Sequence, residues 1–252
     1  MKGYTLANQQ FSNDELINMY SSAISQYKGF KWNDLLYIFK IAMEDRSLFP
    51  GVRGAKYPQD YMNKWVKGYV DAMSNMPSAR TASPKGPCSD PAIRTIVQHS
   101  QGYSEELAIN GELMHNLFMS AENAQGLLLE EFIARNIRPY GFLWCAGNVL
   151  HAIDFCNEDG SFLLQIKNKD NTENSSSSTI REGTTIEKWN RLRTRTLNGK
   201  KYPDYNWDDL NILINRYKTS GMDLPACALS ENKYIQFLEN VTRANKGIIS
   251  KD

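Results

Sequence analysis

The 252-residue chain has few of the residues that build metal cages, disulfide frameworks or membrane spans. It carries three histidines and four scattered cysteines, Cys88, Cys145, Cys156 and Cys227. No Cys-x-x-Cys pair occurs, which argues against a zinc site or a disulfide framework. Cys145 and Cys156 fall in predicted strands, where a buried thiol acts as a small apolar group. No apolar run approaches the ~20 residues that a bilayer span requires. The N-terminal residues lack the apolar stretch of a secretory signal. A cytosolic protein without a membrane partner is therefore expected. Neither a Gly-x-x-x-x-Gly-Lys loop nor a Gly-x-Gly-x-x-Gly motif is present, so no nucleotide cofactor is expected. Internal repeats are also absent.

What remains is an ordinary globular composition, 41% hydrophobic and 23% charged. The charge is unevenly placed. Residues 165–201 hold nine lysines and arginines against four acids, a net +5 that leaves −4 for the rest of the +1 chain. A local basic stretch of this kind is the footprint of a polyanionic partner.

The N-terminal half reads as helical. Ser12-x-x-Glu15 is a capping box opening a run to about residue 27. Residues 31–43 and 58–76 follow. Residues 77–90, rich in Pro, Ser and Gly, read as a connector. Asp90 before Pro91 begins a further helix. Two more helices are expected at 105–119 and 121–136. Strand patterns occupy 142–156, interrupted near Ala146-Gly147-Asn148, and 161–168. Thr184-x-x-Glu187 reads as another capping box, opening a basic helix through Lys188, Trp189, Arg191 and Arg193. Helices near 207–217 and 230–244 complete the chain, with a turn at Lys201–Asp204. Helices before, between and after a sheet imply an α/β core. The expected division is a helical region at 1–88, then a core with a C-terminal recognition region at 89–252, the whole forming one compact domain.

The strand carrying His151, Asp154 and Cys156 runs through Asp159-Gly160 into the strand carrying Gln165 and Lys167. Asp-Gly is a favoured two-residue hairpin turn. With the turn there, Asp154 faces Gln165 and Ala152 faces Lys167. Alternation then sets Asp154, Gln165 and Lys167 on one sheet face, with His151 on the other as a structural residue. An acid and an amine held together on one face suit metal-assisted phosphodiester hydrolysis. Mg²⁺ prefers oxygen ligands, and Asp154, the Ile166 carbonyl and, more weakly, the Gln165 amide oxygen offer them. Lys167 can stabilise developing negative charge. A second carboxylate would help, and the helix before the sheet offers Glu130 and Glu131. These lie about 100° apart around the helix, and Glu130 is preferred.

Gly126-Leu-Leu-Leu-Glu130-Glu131, Ile153-Asp154 and Gln165-Ile166-Lys167 together resemble the PD-(D/E)XK nuclease superfamily. Gln165 stands where an acid is usual, and Ile153 where proline is usual. The run from Lys167 through Arg181 and Gly183 to Trp189 and Arg191 resembles the segment after the catalytic motif in type II restriction endonucleases, in particular the SinI-like group. The similarity spans roughly residues 89–195. It implies a central mixed β-sheet flanked by helices and preceded by a helical N-terminal region. It also implies a Mg²⁺-dependent type II enzyme that cuts both strands of double-stranded DNA at a short palindromic site. Asp154, Gln165, Lys167 and Glu130 would be catalytic, and Asp154, Ile166, Gln165 and Glu130 would hold the metal. DNA-contact candidates are Lys169, Asn171, Asn174, Ser175, Ser176, Arg181, Lys188, Arg191 and Arg193. A palindrome is read most simply by a homodimer. The rival readings are a repair or structure-selective nuclease of the same fold and a non-catalytic DNA-binding protein.

Overall fold

The computed structural model describes residues 3–82, 90–169, 186–219 and 223–249. Its helices are α1 (Asn13–Ile24), α2 (Asn33–Glu44), α3 (Pro58–Ser74), α4 (Pro91–Gln101), α5 (Glu105–Ile137), α6 (Trp207–Tyr217) and α7 (Glu231–Ala244). Its strands are β1 (Phe142–Trp144), β2 (Phe155–Asn157), β3 (Leu163–Lys169), β4 (Ile186–Leu197) and β5 (Lys200–Tyr205). They form one sheet in the order β1-β2-β3-β4-β5, antiparallel throughout except for the parallel β3–β4 pair. The expected mixed α/β fold is present.

The chain separates into two units, each discontinuous in sequence. The first comprises residues 1–75 and 132–233, the second 76–131 and 234–252. The connector had suggested a division at residue 88. The first unit instead joins α1–α3 to the sheet, because their apolar stripes share one core with it. Leu16, Phe39, Trp65 and Val66 pack in the same buried cluster as Leu143, Cys145, Cys156 and Leu163. The buried Trp65 indole donates to the Val149 carbonyl at 2.8 Å, tying α3 to the segment between β1 and β2. That segment also lies against α3 at Gly147 (φ +75°). A Cβ there would sit 2.4 Å from the Gly68 carbonyl oxygen, so no larger residue fits without moving the helix or the loop. The loop so anchored delivers the chain to Asp154.

In the second unit, Glu131 near the middle of the chain is completely buried. Its carboxylate accepts from the Ser78 N–H at 2.7 Å and the Ser78 hydroxyl at 2.6 Å. Asn245, following α7, donates to the carbonyls of Ser78 and Arg80. Tyr234 donates to the Gln125 carbonyl.

Four sequence expectations change. The two helices expected at 105–119 and 121–136 are a single 33-residue helix, α5. Met119, Ser120 and Ala121 contain neither proline nor glycine to end the first, and the helix runs through. The basic helix expected after Thr184 is strand β4. Thr184 itself lies outside the described residues. From Lys188 onward a period of two decides the outcome: Trp189 and Arg191 are buried, while Lys188 is exposed and Asn190 half-buried. Six aligned positions against β3 fix that strand. The turn expected near Pro203 lies inside β5, where proline is tolerated because β5 is the edge strand. Asn198-Gly199, both at positive φ, is the two-residue hairpin turn joining β4 to β5.

The Asp159-Gly160 turn is the fourth change. It is not a two-residue turn of that kind, because positive φ is confined to Gly160. A four-residue loop, residues 158–161, is closed by Asn157 and Phe162. The Asn157 N–H donates to the Phe162 carbonyl at 3.2 Å, and the Asn157 side-chain oxygen accepts from the Phe162 N–H at 2.9 Å. The Asp159 carboxylate accepts from the Ser161 N–H at 2.9 Å, which holds its pKa below the ordinary aspartate value. The loop is centred where the shorter turn would have been, so the strand register is preserved.

Candidate active site

The β2–β3 pairing aligns Phe155 with Leu164 and Cys156 with Leu163. Continued by one residue, it sets Asp154 against Gln165, as the sequence parity predicts. The chain reaches that point through a kink. Ala152 adopts a left-handed conformation (φ +60°), so the strand expected from His151 starts only at Phe155, and Ala152 is not a strand partner of Lys167. His151 is half-buried and donates its backbone N–H to the Leu48 carbonyl at 2.7 Å.

At Asp154 the N–H donates to the Leu164 carbonyl at 2.9 Å while the carbonyl accepts from Cys145 on the opposite side. The half-buried carboxylate then reaches the edge of β3, where Oδ2 accepts from the Ile166 N–H at 2.7 Å. Ile166 is the residue between Gln165 and Lys167. Asp154 is thereby fixed against the backbone that separates the other two candidates. The N–H and C=O of one strand residue leave by the same edge. The Ile166 carbonyl therefore projects on the side of Asp154.

Gln165 is only 5% exposed, and among the described residues its Oε1 has no hydrogen-bond partner. Lys167 is half-buried at the point where this face emerges from the core; Leu163 precedes it inside and Lys169 follows it in solvent. None of the ion pairs between described residues involves Lys167. One carboxylate oxygen fixed in place, one backbone carbonyl and one orphaned amide oxygen form an all-oxygen donor set. Such a set fits a hard divalent cation that keeps waters of its own, as Mg²⁺ does. No group of three or more His, Cys, Asp or Glu able to hold a metal occurs among the described residues.

Glu130 and Glu131 both lie on α5 in the second unit. Glu131 is fully buried and engaged by Ser78, while Glu130 is half-buried.

The DNA-contact candidates divide. Asn171, Asn174, Ser175, Ser176 and Arg181 lie outside the described residues. Lys169 and Lys188 are exposed. Arg193 is exposed and pairs with Asp209 at 3.2 Å. Arg191 is a correction: it is 5% exposed and spent internally. Its Nε donates to Asn168 at 2.8 Å, its Nη1 meets Glu231 at 2.5 Å, and its guanidinium lies over the Tyr205 ring at 5.4 Å. Glu231 also accepts from the Trp207 indole at 2.8 Å. Alternation on β4 puts Arg191 on the face of Trp189, which packs against Trp207, and this explains its burial. Arg191→Ala should destabilise the fold by about 1–3 kcal/mol in urea unfolding, because it leaves the half-buried Glu231 carboxylate with the Trp207 indole but without its countercharge. Arg193→Ala should change stability by less than about 1 kcal/mol.

A mixed sheet flanked by helices, with an aspartate fixed beside Gln165-Ile166-Lys167, is consistent with the restriction-endonuclease-like fold. A family model described as SinI restriction endonuclease matches residues 63–239, and the chain belongs to that family. Two curated relatives are the type II restriction enzyme Eco47I of Escherichia coli, 42% identical over 115 residues, and the type II restriction enzyme SinI of Salmonella infantis, 41% identical over 115 residues. Each match covers 41% of this chain and 50% of the relative. The chain thus spans about half the length of the curated relatives it matches.

Proposed function

We propose that this chain is a type II restriction endonuclease that hydrolyses both strands of double-stranded DNA at a short palindromic site with Mg²⁺. The observation that carries the reading is the Asp154 carboxylate held on the Ile166 N–H, between Gln165 and Lys167. Family membership and the printed names of the two relatives support it.

Asp154, the Ile166 carbonyl and Gln165 Oε1 would hold the ion. When bound, Mg²⁺ supplies charge neutralisation at the phosphate and lowers the pKa of an attacking water. Asp154 is oriented before the ion arrives, since its second oxygen is already anchored on β3. Lys167 presents an ammonium free of any described carboxylate, so its charge is available to the scissile phosphate and the attacking water. Lys169, Lys188 and Arg193 contribute phosphate contacts that position the duplex without reading it. Plasmid incubated with the protein and Mg²⁺ should yield discrete, reproducible fragments. A smear or cutting confined to branched DNA would favour the same-fold repair nuclease. Binding without cutting would favour the non-catalytic reading.

The palindrome calls for two active sites, hence a homodimer. In the second unit, α4 has no buried residue although it is amphipathic, and Arg94 ties it to Glu112 on α5. Ile93, Ile96, Leu107, Met114 and Phe118 are all strongly exposed on these two helices. Two helices that expose this many large apolar side chains suit an interaction site, and a second copy of the chain is the proposed occupant. Phe118→Asp should shift sedimentation from dimer to monomer. A wild-type protein that sediments as a monomer and nicks one strand at a time would refute the dimer.

A further inference from the structure

Asn190 lies between Trp189 and Arg191 on β4. It stands on β4 directly across from Lys167, and the pairing there is parallel. Aligned residues of paired strands send their side chains to the same face, and the strands run about 4.8 Å apart. Gln165, two residues before Lys167, shares that face. Two amide oxygens on it, Asn190 Oδ1 and Gln165 Oε1, are buried and have no hydrogen-bond partner among the described residues. Buried acceptors are nearly always satisfied in folded proteins. Two of them on one face therefore point to a donor or cation that this face is built to receive. Gln165 lies beside Ile166 and Asp154, on the side assigned to the ion. Asn190 lies on the far side of Lys167, against β4. The donor aligned with it is the Lys167 ammonium, which has three N–H groups and no acceptor.

Resting on the nuclease reading above, we propose that Asn190 is a positioning residue for Lys167. Its side-chain oxygen accepts one ammonium N–H when DNA is bound, and this turns the other two toward the scissile phosphate. The long lysine stem has several rotatable bonds, so without an acceptor on β4 the ammonium samples many positions around the phosphate. Asn190 acts by removing that freedom and has no need to touch DNA.

The test is a double-mutant cycle on single-turnover cleavage, with Asn190→Ala, Asn190→Asp, Lys167→Met and the Asn190→Ala/Lys167→Met double variant. Cognate DNA affinity in Ca²⁺ and thermal unfolding are measured alongside. Asn190→Ala should slow cleavage by about 10–100-fold, the range found for outer-shell partners. DNA affinity and melting temperature should stay near wild type. Asn190→Asp keeps the acceptor oxygen and should recover most of the rate, which also covers the case of an unstable alanine variant. In the Lys167→Met background the Asn190 change should have no further effect, because its target is gone. Additive losses in the cycle, or Asn190→Ala cleaving at the wild-type rate, overturn the proposal. If Lys167→Met itself cleaves like wild type, the reading of the whole site fails instead, so the two failures are told apart.

Discussion

Asp154→Asn loses cleavage by about a thousandfold or more while retaining DNA binding and fold. The substitution keeps the size of the side chain and leaves an amide oxygen to accept from the Ile166 N–H. The structural bond at the edge of β3 therefore survives, and what is removed is the charge. Metal and phosphate stabilisation at such a centre amounts to several kcal/mol, and each 1.36 kcal/mol corresponds to about tenfold in rate. Losing about 4 kcal/mol gives about three decades. Asp154→Ala should be as inactive and also less stable by about 1 kcal/mol, because the N–H of the buried Ile166 then loses its acceptor. Single-turnover cleavage, DNA affinity in Ca²⁺ and urea unfolding of both variants separate the catalytic loss from the structural one. Equal inactivity with unequal stability is the expected pattern. If Asp154→Asn cuts normally, the carboxylate is only a strand-edge anchor.

Lys167→Met slows cleavage by about 100–1000-fold, the range for removing one preorganised donor from a site of developing charge. Folding should be unaffected. The side chain is half-buried and takes part in none of the ion pairs between described residues, so methionine fills the same space without stranding a partner. Lys167 would face one phosphate, so the dependence of affinity on salt should change by about one counterion at most. Lys169→Met and Lys188→Met should behave in the opposite way, weakening binding and salt dependence with little change in the rate of bound complex. The contrast distinguishes an ammonium acting at the reacting phosphate from one acting on the flanking backbone.

The site was legible in the sequence to the extent that parity fixed it. Asp154 opposite Gln165 depends only on where the hairpin is centred, and the four-residue loop has the same centre as the shorter turn. The kink at Ala152 was not legible. It arises from the loop packed on α3 through Gly147, a tertiary contact with no local signature. The β4 error has a local cause. A capping-box match and a run of helix-compatible basic residues outweighed the alternation of Trp189, Arg191 and Arg193, whereas pairing with β3 decided the structure. Asn198-Gly199 is the local signal of the β4–β5 hairpin, a dipeptide suited to a two-residue turn with positive φ at both positions. Arg191 shows why basic residues cannot be assigned to DNA from charge alone. Its partner, Glu231, is 40 residues away in sequence, and only the fold brings them together. The burial of Glu131 likewise depends on a remote residue, Ser78.

The most direct measurement is anomalous scattering from Mn²⁺ in crystals of the protein with cognate DNA. A peak within about 2.0–2.2 Å of an Asp154 carboxylate oxygen and the Ile166 carbonyl oxygen, with Gln165 Oε1 in or next to its coordination shell, is the predicted result. A well-occupied Mn²⁺ bound to DNA phosphate and to other side chains, with no ligand from Asp154, would contradict it.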